Sequence, residues 1–168
     1  MEWVAIIILI IGFLIYKSKG QKTNNPDETL EQLESQGNEN FFNSLKEAKK
    51  RVEECQTSLH KKQWIIGTEE DHKSYLKNAE EEVKKMENTR EAFIRLKEIT
   101  KFHPINERMV IFTDWKDYGH ALFYKEINHK QFDLGIAGDT ERLLRQGREN
   151  HIQIEEIEKR FQHRLKQP

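Results

Sequence analysis

The chain has one cysteine, Cys55, and three prolines among 168 residues. A single cysteine excludes an internal disulfide framework. So few prolines leave long stretches free to run as helix. Charge of one sign is missing too: 28 Lys and Arg stand against 29 Asp and Glu, for a net of −1. That balance argues against a general nucleic-acid binder, which carries a basic excess. Strong catalytic motifs are absent, with no HExxH, GxSxG or CxxC. Apolar residues are scarce at 36%. With charged residues at 34%, this composition favours elongated helices sharing narrow seams over one large core.

The one long apolar run is at the start. Twelve residues from Val4 to Ile15 carry no charge, and ten of them are Val, Ile, Leu or Phe. On an insertion scale such a run favours lipid by about 3–6 kcal/mol. Trp3 and Tyr16 stand where interfacial aromatics stand. Residues 3–16 are short for a bilayer, but Lys17 and Lys19 can snorkel. The run lacks the basic lead and small cleavage-site residues of a secretion signal. It therefore predicts a single transmembrane anchor over residues 1–17, with the lipid bilayer as partner of 3–16. Lys17, Lys19 and Lys22 would lie beside anionic lipid heads and place the N-terminus outside and the rest in the cytoplasm. The reversed topology, an exported envelope or lysis-type factor, is the competing arrangement.

Residues 18–40 are polar and predict a tether, with Gly20 and Pro26 in 18–29 and, over the acidic 30–40, either a short helix followed by a loop or plain linker. From Phe41 a helical stripe begins: Leu45, Ala48, Val52, Cys55 and Leu59. Thr68 through Asp71 has the form of a helix start. The stripe then resumes through Leu76, Ala79, Val83, Met86 and Phe93, with Arg90 in a stripe position. Arg90 would either set register against an acid or mark where the seam rotates. Two helices over about 41–64 and 69–101, joined at Gly67, predict an antiparallel coiled-coil-like hairpin over 41–101.

After Pro104 the composition changes. Met109 to Trp115 is rich in β-branched and aromatic residues, and His120 to Ile127 repeats that character. Lys116-Asp117-Tyr118-Gly119 between them reads as a turn, and Gln131 to Ile136 as a third short strand. Thr140 then caps a last helix with Leu143, Leu144, Ile152, Ile154, Ile157, Phe161 and Leu165. The fold class expected is mainly α with a small antiparallel β-hairpin, an α+β region over 102–168 in which the hairpin packs on the C-terminal helix.

Candidate chemistry is sparse. Asp114, Asp117, His120 and His129 gather around the expected turn, where Asp and His together could ligate a metal or serve a small active site; ordinary turn chemistry explains the aspartates equally. Gly135 to Thr140 could hold an anion at a helix start or be a plain cap. Arg142, Arg145 and Arg148, with Arg160 and Arg164 beyond, form a basic face that phosphate or anionic lipid could meet; five glutamates in 140–168 dilute it. Cys55 on the stripe reads as an apolar filler. Phe112, Trp115 and Phe123 form either an exposed platform or packing beneath the last helix. No residue is assigned as catalytic, cofactor-binding or metal-binding, and no cofactor is assigned. The function expected is a membrane-anchored interaction or scaffold protein, self-associating through the helical hairpin, with a small enzyme in the C-terminal part as the alternative.

Overall fold

The computed structural model describes residues 26–63, 67–133 and 140–167. Four helices account for nearly all of them: α1 (Pro26–Lys61), α2 (Glu69–Ile99), α3 (Ile105–Asp133) and α4 (Thr140–Leu165). The long side-chain bonds fix their directions. Lys97 pairs with Glu34 and Lys49 with Glu87, so α1 and α2 run antiparallel. Asp27 pairs with Arg108 and Arg51 with Glu126, so α1 and α3 run parallel. Asp114 meets Arg160 and Arg164 while Phe132 shares a groove with Leu143 and Leu144, so α4 runs against α3. α1 packs most extensively on α3, and α1 and α4 do not touch. Around the bundle the order is therefore α1, α2, α4, α3, and the connection from α2 to α3 crosses the diagonal.

The expected β-hairpin does not exist. Among the described residues there is no strand, and Met109 through Ile127 lies inside the single helix α3. The physical reason is burial on more than one side. α3 sits between α1 on one flank and α4 on the other. Ile111, Trp115, Tyr118 and Leu122 keep helical spacing, while Phe112, Asp114, Ala121 and Glu126 are also buried. A helix covered on two flanks shows no single apolar stripe, so its β-branched and aromatic content reads as strand. Residues 131–133 of the expected third strand are the last of α3, and residues 134–136 lie outside the described residues. The C-terminal helix thus packs on a helix, not on a hairpin.

Gly119 sits mid-helix because the backbone of α1 passes against it. A Cβ on Gly119 would lie 2.4 Å from the Gly37 carbonyl oxygen, and one on Gly37 would lie 2.6 Å from the Trp115 ring. The two glycines mark the point where α1 and α3 cross most closely. Gly37 also explains why residues 26–40, expected as tether, are the first turns of α1. The inward stripe runs Leu30, Leu33, Gly37, Phe41, Ser44 and Ala48, and three of those positions hold small residues. Pro26 suits a first helical turn, where its missing amide hydrogen costs nothing.

Helix ends follow from local chemistry. Thr68 and Asp71 form a reciprocal capping box at α2, with Thr68 N donating to Asp71 Oδ2 at 2.8 Å and Asp71 N donating to Thr68 Oγ1 at 3.3 Å. Gly67 takes φ +92°, a left-handed conformation that glycine adopts without strain. Pro104 does not end the helical region but opens α3: its carbonyl accepts from Glu107 N at 3.0 Å.

The core centres on Trp115, which is 0% exposed. Its ring stacks on Phe93 with centroids 4.5 Å apart and lies 5.0 Å from Phe41, so three helices meet at one aromatic cluster. Its indole Nε1 donates to Asn38 Oδ1 at 3.0 Å.

A single-pass placement, with the N-terminus outside and the rest cytoplasmic, is corrected here. Among the described residues no helix is long and apolar enough to cross a membrane. The anchor expected over residues 1–17, with Lys17, Lys19 and Lys22, lies outside the described residues.

Candidate functional site

The helix α3 separates the residues that a turn would have gathered. Asp114 and His129 are fifteen positions apart on one helix, about 22 Å along the axis. His120 is exposed and packs edge-on against Tyr124. Among the described residues no group of three or more His, Cys, Asp or Glu could hold a metal ion.

Asp114 has a different use. It is 3% exposed and meets two guanidinium groups from α4. Arg160 donates to its Oδ1 at 3.2 Å, and Arg164 to its Oδ2. Burial holds the carboxyl above its ordinary range, with the two arginines opposing that shift. Two members of the expected basic face thus turn inward to one carboxylate. Arg145 makes an exposed pair with Glu149, and Arg148 stands at the rim of a groove described below. Most of Gly135 to Thr140 lies outside the described residues.

A second charged group joins three helices. Arg51 of α1 holds Glu126 of α3 through two bonds of 2.5 and 2.9 Å, and reaches Glu82 of α2 at 3.2 Å. Lys125 also meets Glu82. Burial lowers the affinity of Lys125 for its proton, as it does for His129, where Arg51 acts in the same direction. The sequence shows each of these residues as one more charge among many; only the bundle brings them together. Arg51, Glu82, Lys125 and Glu126 each have an opposite partner, which is the arrangement of a structural network.

The remaining sequence candidates have packing roles. Trp115 and Phe112 are buried against α1 and α2, so no exposed platform forms. The α2 seam steps from Met86 to Thr89, Phe93 and Leu96, which leaves Arg90 outside with its guanidinium 5.0 Å from the Phe42 ring centroid. Cys55 is half-buried, and burial pushes its thiol pKa up, away from reactivity.

Two surface features have no intramolecular use. One is the corner between α2 and α3. Phe102 is 93% exposed there, Ile99 63% and Ile105 36%. Glu98, Lys101, Glu107 and Arg108 stand around them in sequence, alternating in sign. The other is a groove of about 370 Å³ between the C-terminal half of α3 and the N-terminal half of α4, walled by Phe132, Leu143 and Leu144. Neither was visible in the sequence: Phe102 fell between the helix expected over 69–101 and the strand expected from Met109, and the groove needs α3 as a helix. A comparison with protein-family models, curated proteins and solved structures finds no match to this chain.

Proposed function

We propose that this chain is a helical interaction module that pairs with a second copy of itself through the α2–α3 corner. The observation that carries this reading is the exposure of Phe102, Ile99 and Ile105 within seven residues of chain. A large aromatic held in water between two rigid helix ends is costly to leave uncovered and is the residue type that dominates interfaces. Its rim supports a like partner. Glu98 and Glu107 carry one sign and Lys101 and Arg108 the other, so a two-fold contact can set acids against bases without a dedicated partner surface. Pairing through the apolar stripe of α1 and α2 is unnecessary, because α3 already covers much of it.

The test is sedimentation of the full chain over a concentration series, beside Phe102→Glu. The wild type is expected to shift from monomer to dimer, and the variant to stay monomeric with unchanged helix content. Losing such an anchor costs about 2 kcal/mol or more, roughly thirty-fold in dissociation constant. A wild type that remains monomeric throughout, or a variant that pairs equally well, overturns the reading.

A further inference from the structure

The inward stripe of α4 runs Leu143, Gly147, Asn150, Ile154, Ile157 and Phe161, a regular 4-3-4-3-4 spacing. Every other member of that stripe is buried. At Gly147 the position is handed no side chain, and an added Cβ there would meet nothing within 4 Å. A glycine inside a helix costs roughly 0.5–1 kcal/mol relative to alanine. Here no close packing offsets that cost, unlike at Gly37 and Gly119. What the glycine leaves is the α3–α4 groove.

The lining of the groove is chemically one-sided. Phe132, Leu143 and Leu144 supply its walls, and Phe132 and Leu144 remain about half exposed. Lys125, His129, Arg148 and His151 supply its polar rim, and among the described residues no Asp or Glu lines it. In a chain with slightly more acidic than basic residues that exclusion stands out. Lys125 and His151 already have carboxylate partners, Glu82 and Glu155. Arg148 has none among the described residues. Asn128 also lines the groove and is 7% exposed.

We propose that this groove binds a small amphipathic carboxylate, with an apolar body against Phe132, Leu143 and Leu144 and its carboxylate at the Arg148 guanidinium. The volume lies at the low end of ligand pockets, which suits one linear or aromatic acid. The planar guanidinium of an arginine matches the geometry of a carboxylate. This site is independent of the α2–α3 corner.

The probe is sodium dodecanoate, titrated calorimetrically into the full chain, with 1-dodecanol as the uncharged comparison. Saturable binding of one dodecanoate per chain is expected, with dodecanol at least tenfold weaker, since a charge-assisted bond is worth about 1.5–3 kcal/mol. Arg148→Gln, at an exposed position, should weaken dodecanoate roughly tenfold and leave dodecanol unchanged. Gly147→Phe, which enters open space, should abolish both while thermal unfolding shows the bundle intact. No saturation by about 1 mM dodecanoate, equal affinity for the alcohol, or undiminished binding to Gly147→Phe would each overturn the proposal.

Discussion

Three glycines in helices make opposite demands on the same substitution. At Gly37 and Gly119 an added methyl runs into the Trp115 ring or the Gly37 carbonyl. Alanine at either position should cost about 1–3 kcal/mol, and more if the helices cannot move apart. At Gly147 nothing is met, so alanine should stabilise by roughly 0.5–1 kcal/mol. Urea midpoints of the three variants check both signs together. Asp114 gives a second contrast. Replacing Arg160 and Arg164 together by Met strands a buried carboxylate and should cost about 3–5 kcal/mol, while Asp114→Asn frees two arginines that can reach water and should cost less. The pH dependence is specific. Burial raises the folded-state pKa of Asp114 above its ordinary 3.8, so the fold binds that proton more tightly than the unfolded chain does. Its contribution is then fully present below 3.8 and is lost as pH rises through the raised value. The stability difference between wild type and Asp114→Asn should therefore fall from acid to neutral pH; a difference that grows would contradict the assignment.

At the scale of elements, the sequence revealed what a single face could show. α2 carries its stripe on one side and its charges on the other, and Thr68 with Asp71 announces its start. α3 gave no such signal. Its buried residues occupy two flanks, its Lys116-Asp117-Tyr118-Gly119 stretch matches turn composition, and Gly119 is there for a helix crossing that only the partner residue Gly37 explains. The first turns of α1 were hidden in the same way, since Gly37 fills a stripe position without apolar bulk. The site features depended on α3 and were lost with it: Asp114 was expected near His120, and its arginines were expected in solvent. The start of α2 carries its own prediction. The Thr68 amide holds the Asp71 carboxyl below its ordinary 3.8, so the cap is stabilising above that pH and fails as pH falls through the lowered value. Amide exchange over residues 69–73 should accelerate on acidification, and Asp71→Asn should remove most of that acid sensitivity.

For the whole molecule, the helix order α1, α2, α4, α3 sets α1 and α3 side by side in parallel, with Trp115 at the centre and the Arg51 network tying α1, α2 and α3 together. Both functional proposals sit on this frame: the exposed corner exists because α2 and α3 are joined by five residues across the diagonal, and the groove exists because α4 lies along the far half of α3. Everything depends on residues 105–133 being one uninterrupted helix. The direct measurement is the backbone Cα chemical shift of each residue in that span by NMR. The account predicts helical, downfield shifts through Lys116, Asp117, Tyr118 and Gly119 without a break. Upfield, strand-like shifts over Met109–Trp115 and His120–Ile127, on either side of a turn, would contradict it.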